Sequence, residues 1–260
     1  MAALEARGSV DSAARGDHGR DVEPRILLVG AGGIGAPAAW ALAEAGVRAL
    51  SIIDEDTVEL SNLHRQILFD DQDVGRPKLE AFVRALALRF PALEVTALAG
   101  RALPDNALEL CARSACVIDA TDNFATRFLL ADAARLAGVP VVHAAAVRWH
   151  ATVMAVLPGG RPCYRCLFED LPSGAVIDCA TAGVVGPVCG IAGAVAADRA
   201  LRLLAGDLGA AGSIVTYDGL GDRLREVPVA ARAGCALCGE SAEIGSIVVE
   251  RYMGAACEST

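Results

Sequence analysis

Arg25-Ile26-Leu27-Leu28-Val29 leads directly into Gly30-Ala31-Gly32-Gly33-Ile34-Gly35, and a helical stretch continues to about residue 45. A short unbroken apolar run ending at glycine is the pattern of a central parallel strand, buried on both faces. The glycines fit G-x-G-x-x-G between strand and helix. Gly30 permits the tight turn, Gly32 lets a phosphate approach the backbone, and Gly35 lets helix and strand pack closely. The helix amino terminus behind them offers free N–H groups to an anion. Residues 49–53 (ALSII) form the next strand, closed by Asp54, which is placed to hold ribose hydroxyls. These features predict an adenine-nucleotide site; the glycines alone also fit a merely tight turn, and the fingerprint does not separate NAD from ATP.

Outward from this unit, residues 77–90 carry helical apolar spacing at Leu79, Phe82, Val83, Leu86 and Phe90, with Pro77 suited to a first turn. Strands are expected at 93–97, 116–119, 140–143 and 152–157, and a helix over 123–137. The alternation predicts an α/β fold, a Rossmann-like doubly wound and mainly parallel sheet. After Pro158 the rhythm changes to a Cys-bearing knuckle, a helix around 191–204, strands at 213–217 and 223–227, and a second knuckle. Residues 1–24 are charged and rich in Gly and Ser, and disorder is expected there. Residues 25–240 read as one domain and 241–260 as a tail, patterned only at 247–249.

The chain has 260 residues, 54% of them hydrophobic, enough for a sizeable core. Aromatics are only 4%, which argues against a stacking platform for single strands, and a net charge of −9 would repel a phosphate backbone. No nucleic-acid partner is expected. The longest apolar stretch, 182–197, contains Gly186 and Pro187 and stops at Asp198, short of the roughly 20 residues of a membrane span. With no signal-peptide run, the expectation is a cytoplasmic protein without a membrane partner. Nine cysteines in that setting are not a disulfide framework. Two C-x-x-C pairs, Cys163/Cys166 and Cys235/Cys238, favour metal binding.

A second group of residues separates the nucleotide types. Asp54-Glu55-Asp56 is followed by Ser61-Asn62-Leu63-His64-Arg65-Gln66 and Gly75-Arg76-Pro77-Lys78; farther on, Asp119-Ala120-Thr121-Asp122-Asn123 sits at a strand's carboxyl end. Sites in open α/β sheets gather at that edge. Two cations, Arg65 and Lys78, beside a metal-capable carboxylate, Asp122, suit a triphosphate attacked at its α-phosphorus better than hydride transfer. Taken singly, Arg65 and Lys78 also read as solvated surface charges and Asp122 as a helix N-cap.

These motifs in this order resemble the ThiF/MoeB/HesA-type adenylyltransferases, relatives of the ubiquitin-activating enzymes, from about residue 25 to 240. GAGGIG, Asp54 and Asp56, SNLHRQ, GRPK, DATDN, the segment 181–188 (TAGVVGPV) and the Cys pairs carry the likeness. The resemblance implies an ATP- and Mg²⁺-dependent enzyme joining the C-terminal carboxylate of a small ubiquitin-like sulfur-carrier protein, usually ending Gly-Gly, to AMP. It implies that Gly30, Gly32, Gly33 and Gly35 cradle the nucleotide and that Asp54 and Asp56 flank its ribose. Asn62, Arg65, Gln66 and Lys78 would face the phosphates, and Asp122 with Asn123 the Mg²⁺ side. Cys163, Cys166, Cys235 and Cys238 would hold structural Zn²⁺. A nucleotide half (25–158), a zinc- and carrier-binding part (159–240), a homodimer and a separate sulfur-donor protein are implied as well.

Cys179 stands where many relatives carry a loop cysteine that can bond to the activated carrier, and it is a candidate nucleophile or a passive loop residue. Relatives usually begin with an R-[YF]-x-R-Q helix whose arginine reaches the neighbouring subunit's ATP. Residues 1–24 lack that motif, with Arg15 and Arg20 as the nearby substitutes. Two alternatives accompany the carrier reading. One is adenylation of a peptide or pathway-specific carrier in secondary metabolism, motivated by the altered amino terminus. The other is a catalytically inactive zinc-stabilised partner module, against which Arg65, Lys78 and Asp122 argue.

Overall fold

The computed structural model describes residues 25–172 and 182–253. Residues 1–24, Cys179 and the end of the tail, 254–260, lie outside them. Chain order gives β1 (Ile26–Val29), α1 (Gly35–Glu44), β2 (Ala49–Asp54), α2 (Lys78–Arg89), β3 (Glu94–Ala99), α3 (Ala107–Ala112) and β4 (Cys116–Asp119). Then follow α4 (Phe124–Ala137), β5 (Val141–Val147), β6 (His150–Val156), α5 (Tyr164–Leu167), α6 (Gly186–Leu204), β7 (Ser213–Asp218) and β8 (Arg223–Pro228). The strands form one eight-stranded sheet in the order β3-β2-β1-β4-β5-β6-β7-β8. Neighbours from β3 through β5 pair in parallel, and β6, β7 and β8 continue antiparallel.

Side-chain alternation on β1 divides the core between the two sheet faces. Ile26 and Leu28 belong to a cluster with Ala39 and Leu42 of α1, Phe82 and Leu86 of α2, and Ala192, Ala196 and Ala200 of α6. Leu27 and Val29 belong to the other, with Ala107 and Cys111 of α3, Phe128 and Leu130 of α4, and Tyr252. The helices change faces between α2 and α3, where the chain passes from the β3 edge to β4, so β1 and β4 flank the point at which the winding reverses.

The sequence pattern predicts most strands to within a few residues. Three differences have physical reasons. Helix α6 begins at Gly186 rather than near 191, because Pro187 sits in its first turn, where no N–H is needed. Strand β5 runs on to Val147 and turns straight into β6 through Arg148 and Trp149, with Arg148 at φ 52°. That pair has none of the glycine or asparagine that flags a hairpin. Helix α3, only six residues long, is too short to establish a period. Among the described residues no helix is long and apolar enough to cross a membrane.

The abundance of Ala and Gly serves close helix contact. A Cβ on Gly193 of α6 would lie 2.5 Å from the Ile34 carbonyl oxygen and 2.7 Å from Pro37 Cγ, whereas one on Gly190 would meet nothing within 4 Å. Gly193→Val is therefore expected to cost at least ~1–3 kcal/mol through overpacking. Gly190→Ala is expected to be neutral or to gain up to ~1 kcal/mol of helix propensity. Urea denaturation of both variants checks the contrast.

Candidate active site

At the carboxyl ends of β1 and β4 the sheet opens into a cleft of about 840 Å³. Its walls include Gly30, Gly32 and Gly33 from the β1–α1 turn, and Asp54 and Asp56 from the end of β2. Asn62, Arg65, Gln66, Lys78, Asp122 and Asn123 complete the candidate set along it. Gly35 lies beneath the wall, where its Cβ would fall 2.0 Å from the Gly30 carbonyl oxygen. Gly30 adopts φ 101°, and its own Cβ would meet the Ala120 carbonyl oxygen at 2.9 Å. Gly32 is different: a Cβ there would touch only Gln66 Nε2, at an ordinary 3.6 Å. Neither φ nor packing demands glycine at 32, which leaves approach of a ligand as its physical use.

The charged groups divide into paired and unpaired. Asp54 Oδ2 accepts from the Ala31 N–H at 2.7 Å and Oδ1 from the Asp56 N–H at 2.8 Å, fixing the glycine turn to the end of β2. Lys78 is 6% exposed, and its Nζ donates to Asp56 Oδ2 at 2.6 Å, so it is no solvated surface charge. One bond leaves that ammonium two further donors. Arg101 pairs with Glu55 at 3.0 Å. In contrast, the Arg65 guanidinium and the Asp122 carboxylate have no hydrogen-bond or ion-pair partner among the described residues. The N-cap of α4 is Asn123, whose side chain accepts from the Thr126 N–H at 2.8 Å, so Asp122 is not the cap. Gln66 is 2% exposed and its Oε1 has no partner among the described residues, leaving a buried amide at the cleft wall.

Two features escaped the sequence reading. Arg127, 7% exposed, reaches from α4 to the carbonyls of Thr121 and Ala144, the latter at 2.9 Å, and supports the turn that carries Asp122. His143 donates from Nδ1 to Asp119 Oδ2 at 2.7 Å, both residues being buried. Burial works to raise the Asp119 carboxyl, but the Arg127 charge and the His143 hydrogen bond outweigh it and hold it below the usual range. The available signal was register: Asp119, the last residue of β4, lies directly opposite His143 on the parallel strand β5.

On the far side of α4, Cys163, Cys166, Cys235 and Cys238 bring their sulfurs within 4.8 Å of one another, all four residues buried. Separations of 3.5 Å for Cys163–Cys235, 3.4 Å for Cys166–Cys238 and 4.0 Å for Cys163–Cys166 approach the ~3.8 Å edge of a tetrahedral zinc–thiolate shell. Burial acts to raise Cys235, yet the N–H groups of Cys238 and Leu237 outweigh it and hold the thiol at about 7. The donor set fits zinc. Beside it, Arg165 grips Asp132 through two hydrogen bonds of 2.8 and 2.9 Å, and Tyr252 of the tail donates to the same carboxylate at 2.8 Å.

A glycine turn at the winding reversal, a carboxylate at the end of β2 and cations across the crevice make a cleft of the kind in which open α/β sheets take a nucleotide. The ThiF family model matches residues 20–237, and the chain belongs to that family of adenylyltransferases. It is 43% identical over 229 residues to the SAMP-activating enzyme E1 of Haloferax volcanii, covering 86% of this chain and 83% of that one. It is 40% identical over 222 residues to the molybdopterin-synthase adenylyltransferase of Escherichia coli (84% and 88%). To the sulfur carrier protein ThiS adenylyltransferase of the same organism it is 38% identical over 221 residues (85% and 88%). A crystal structure of E. coli MccB with ATP shares the fold, with a TM-score of 0.70 and 22% identity over 84% of this chain and 67% of that one.

The capping assignment is testable apart from activity. Asn123→Ala is expected to lower stability by about 1 kcal/mol. Asp122→Asn, which removes no hydrogen bond or ion pair among the described residues, should leave the denaturation midpoint where it is. Parallel thermal and urea unfolding of the two variants reads the difference.

Proposed function

We propose that this enzyme adenylates the C-terminal carboxylate of a small ubiquitin-like sulfur-carrier protein, using ATP and Mg²⁺ in the 840 Å³ cleft. The observation that carries the reading is the pairing pattern: beside the glycine turn, the Arg65 guanidinium and Asp122 carboxylate have no partner among the described residues, while Lys78 pairs with Asp56 and Arg101 with Glu55. Identity of 38–43% to enzymes named for sulfur-carrier, molybdopterin-synthase and SAMP activation supports the acceptor class.

In this reading the carrier's carboxylate oxygen attacks the α-phosphorus. The new acyl–phosphate bond forms as the bond to the bridging oxygen of the β-phosphate breaks, and pyrophosphate leaves with that electron pair. No proton has to move, so the residues act by alignment and charge. The N–H groups at the start of α1 and the bare Gly32 backbone receive phosphate. Arg65 neutralises charge growing on the phosphates, and Lys78 adds its two remaining donors. Asn62 and Gln66 orient the phosphates from the same wall, while Asp54 and Asp56 flank the ribose. Asp122, with Asn123 beside it, would hold Mg²⁺, which when bound supplies Lewis-acid neutralisation of the triphosphate.

Carrier-dependent ATP–pyrophosphate exchange tests the proposal. The intact carrier should support exchange and a carrier trimmed of Gly-Gly should not. Arg65→Ala should reduce the rate ~10²–10³-fold, and Asp122→Ala should remove Mg²⁺-dependent exchange in folded protein. Exchange with a short peptide instead of a carrier would favour the secondary-metabolism alternative.

The four thiolates hold one structural Zn²⁺ per chain in this proposal, since four sulfurs close the shell and leave no open position for chemistry. Elemental analysis should return one zinc per chain, and chelation should lower the melting temperature. Folded, active protein without zinc contradicts it. A homodimer and a separate sulfur donor complete the reading, and light scattering across a dilution series tests the dimer.

A further inference from the structure

The two cysteine knuckles are joined to each other and to α4 by contacts between protein groups around the four sulfurs. Arg165 stands between Cys163 and Cys166 and is buried. Its Nε and Nη2 donate to the two oxygens of Asp132 at 2.8 and 2.9 Å, and its guanidinium lies 4.7 Å from the centre of the Phe128 ring. Its main-chain carbonyl accepts from Arg232 Nη2 at 2.7 Å, and the Arg232 N–H donates to Cys166 Sγ at 3.5 Å. One turn along α4, Arg135 donates to the carbonyl of Leu237, between the second pair of cysteines, at 3.1 Å. Asp132 and Arg135 thus grip one knuckle each.

The chain after the second knuckle closes this arrangement. The N–H groups of Glu243 and Ile244 donate back to the Ala236 carbonyl at 2.9 and 3.0 Å, which fixes the start of the tail to that knuckle. Ile244 and Tyr252, both buried, then join the same apolar cluster as Phe128, Cys163 and Cys235. At the far end the Tyr252 hydroxyl donates at 2.8 Å to Asp132 Oδ2, the oxygen that also receives Arg165 Nη2. Burial pushes that hydroxyl up to about 12, so it stays a donor across the ordinary pH range. The segment therefore starts on one knuckle and ends on the carboxylate that holds the other. It lies beyond residue 237, where the family match stops.

We infer that residues 243–252 form a strap that governs how fast the four cysteines release their metal, with Tyr252 as its positioning residue. The inference rests on the reading of the cluster as a zinc site. Groups outside a metal's ligands fix how those ligands are held. Here Cys163 and Cys166 can swing outward only by carrying Arg165 with them, and Arg165 cannot leave without stranding Asp132 as a buried charge. The Tyr252 bond holds the carboxylate in the orientation that Arg165 uses, so opening of the first knuckle is coupled to lifting of the tail. The tail is at the same time anchored on the second knuckle through Ala236. The strap thus guards the metal from competing thiols and chelators without adding a ligand to it.

The test follows zinc release from the full chain. Zinc-loaded wild type and variants are mixed with excess EDTA, desalted at intervals and assayed for the metal still bound. Tyr252→Phe, which keeps the ring and removes the hydroxyl, should release zinc about ten- to hundredfold faster. Gly193→Val, which crowds α6 on the opposite face of the sheet, should release it at the wild-type rate although it is less stable in urea. An unchanged rate in Tyr252→Phe means that release ignores the strap, and an equal acceleration by Gly193→Val means that release follows global unfolding; either result overturns the inference. Should Tyr252→Phe fail to fold, Ile244→Ala, which loosens the strap at its other end, decides by the same criteria. Wild-type protein that takes up no zinc overturns the zinc reading itself, a result distinct from equal release rates.

Discussion

A side chain at residue 35 would place its Cβ 2.0 Å from the Gly30 carbonyl oxygen, and one at residue 30 would strike the Ala120 carbonyl at 2.9 Å. Helix α1 can therefore rise directly from β1, and β4 can close against the turn, only while both positions lack side chains. That contact aims the amino terminus of α1 into the crevice where the sheet's winding reverses. Asp54 then anchors the loop from the neighbouring strand through the Ala31 and Asp56 N–H groups. The site is in this sense a consequence of backbone approach, onto which side chains from four loops are added.

The same demand for closeness runs through the helix layer. Helix α6 packs against α1 through Gly193 and a series of fully buried alanines, which explains how a chain with few aromatics fills its core. The opposite face relies on other means. There the cysteine cluster, the buried Arg165–Asp132 pair and the Tyr252 hydroxyl tie α5, α4 and the tail together. Asp132 receives three donated bonds from two residues, so its buried charge is compensated, and removing Arg165 would leave it an unpaired interior charge.

What could be read from the sequence follows from what is local. The glycine turn, Asp54 and Asp122 sit at or just past strand ends, which are visible as apolar runs stopping at glycine or aspartate, whereas Arg65, in the long connection after β2, and Lys78, the first residue of α2, stood out only through their motifs. The β5–β6 turn at Arg148-Trp149 gave no such signal, because its left-handed residue is an arginine. Neither did the Tyr252–Asp132 bond, whose partners are 120 residues apart. The Lys78–Asp56 pair was hidden for a related reason. Sequence reveals a cation near a carboxylate, but only the fold decides that the lysine is buried and already engaged.

Pairing also separates architecture from chemistry in a chain of net charge −9. Asp132, Asp119 and Asp56 are acidic groups whose partners are built into the protein, and each fixes an element: α5, the β4–β5 edge, the start of α2. Arg65 and Asp122 face the same cleft with opposite charges and remain apart. If the site were merely structural, bringing two such groups together would offer a small gain at little entropic expense. In the proposed adenylation, keeping them apart leaves Arg65 a cation for phosphate and Asp122 an anion for metal.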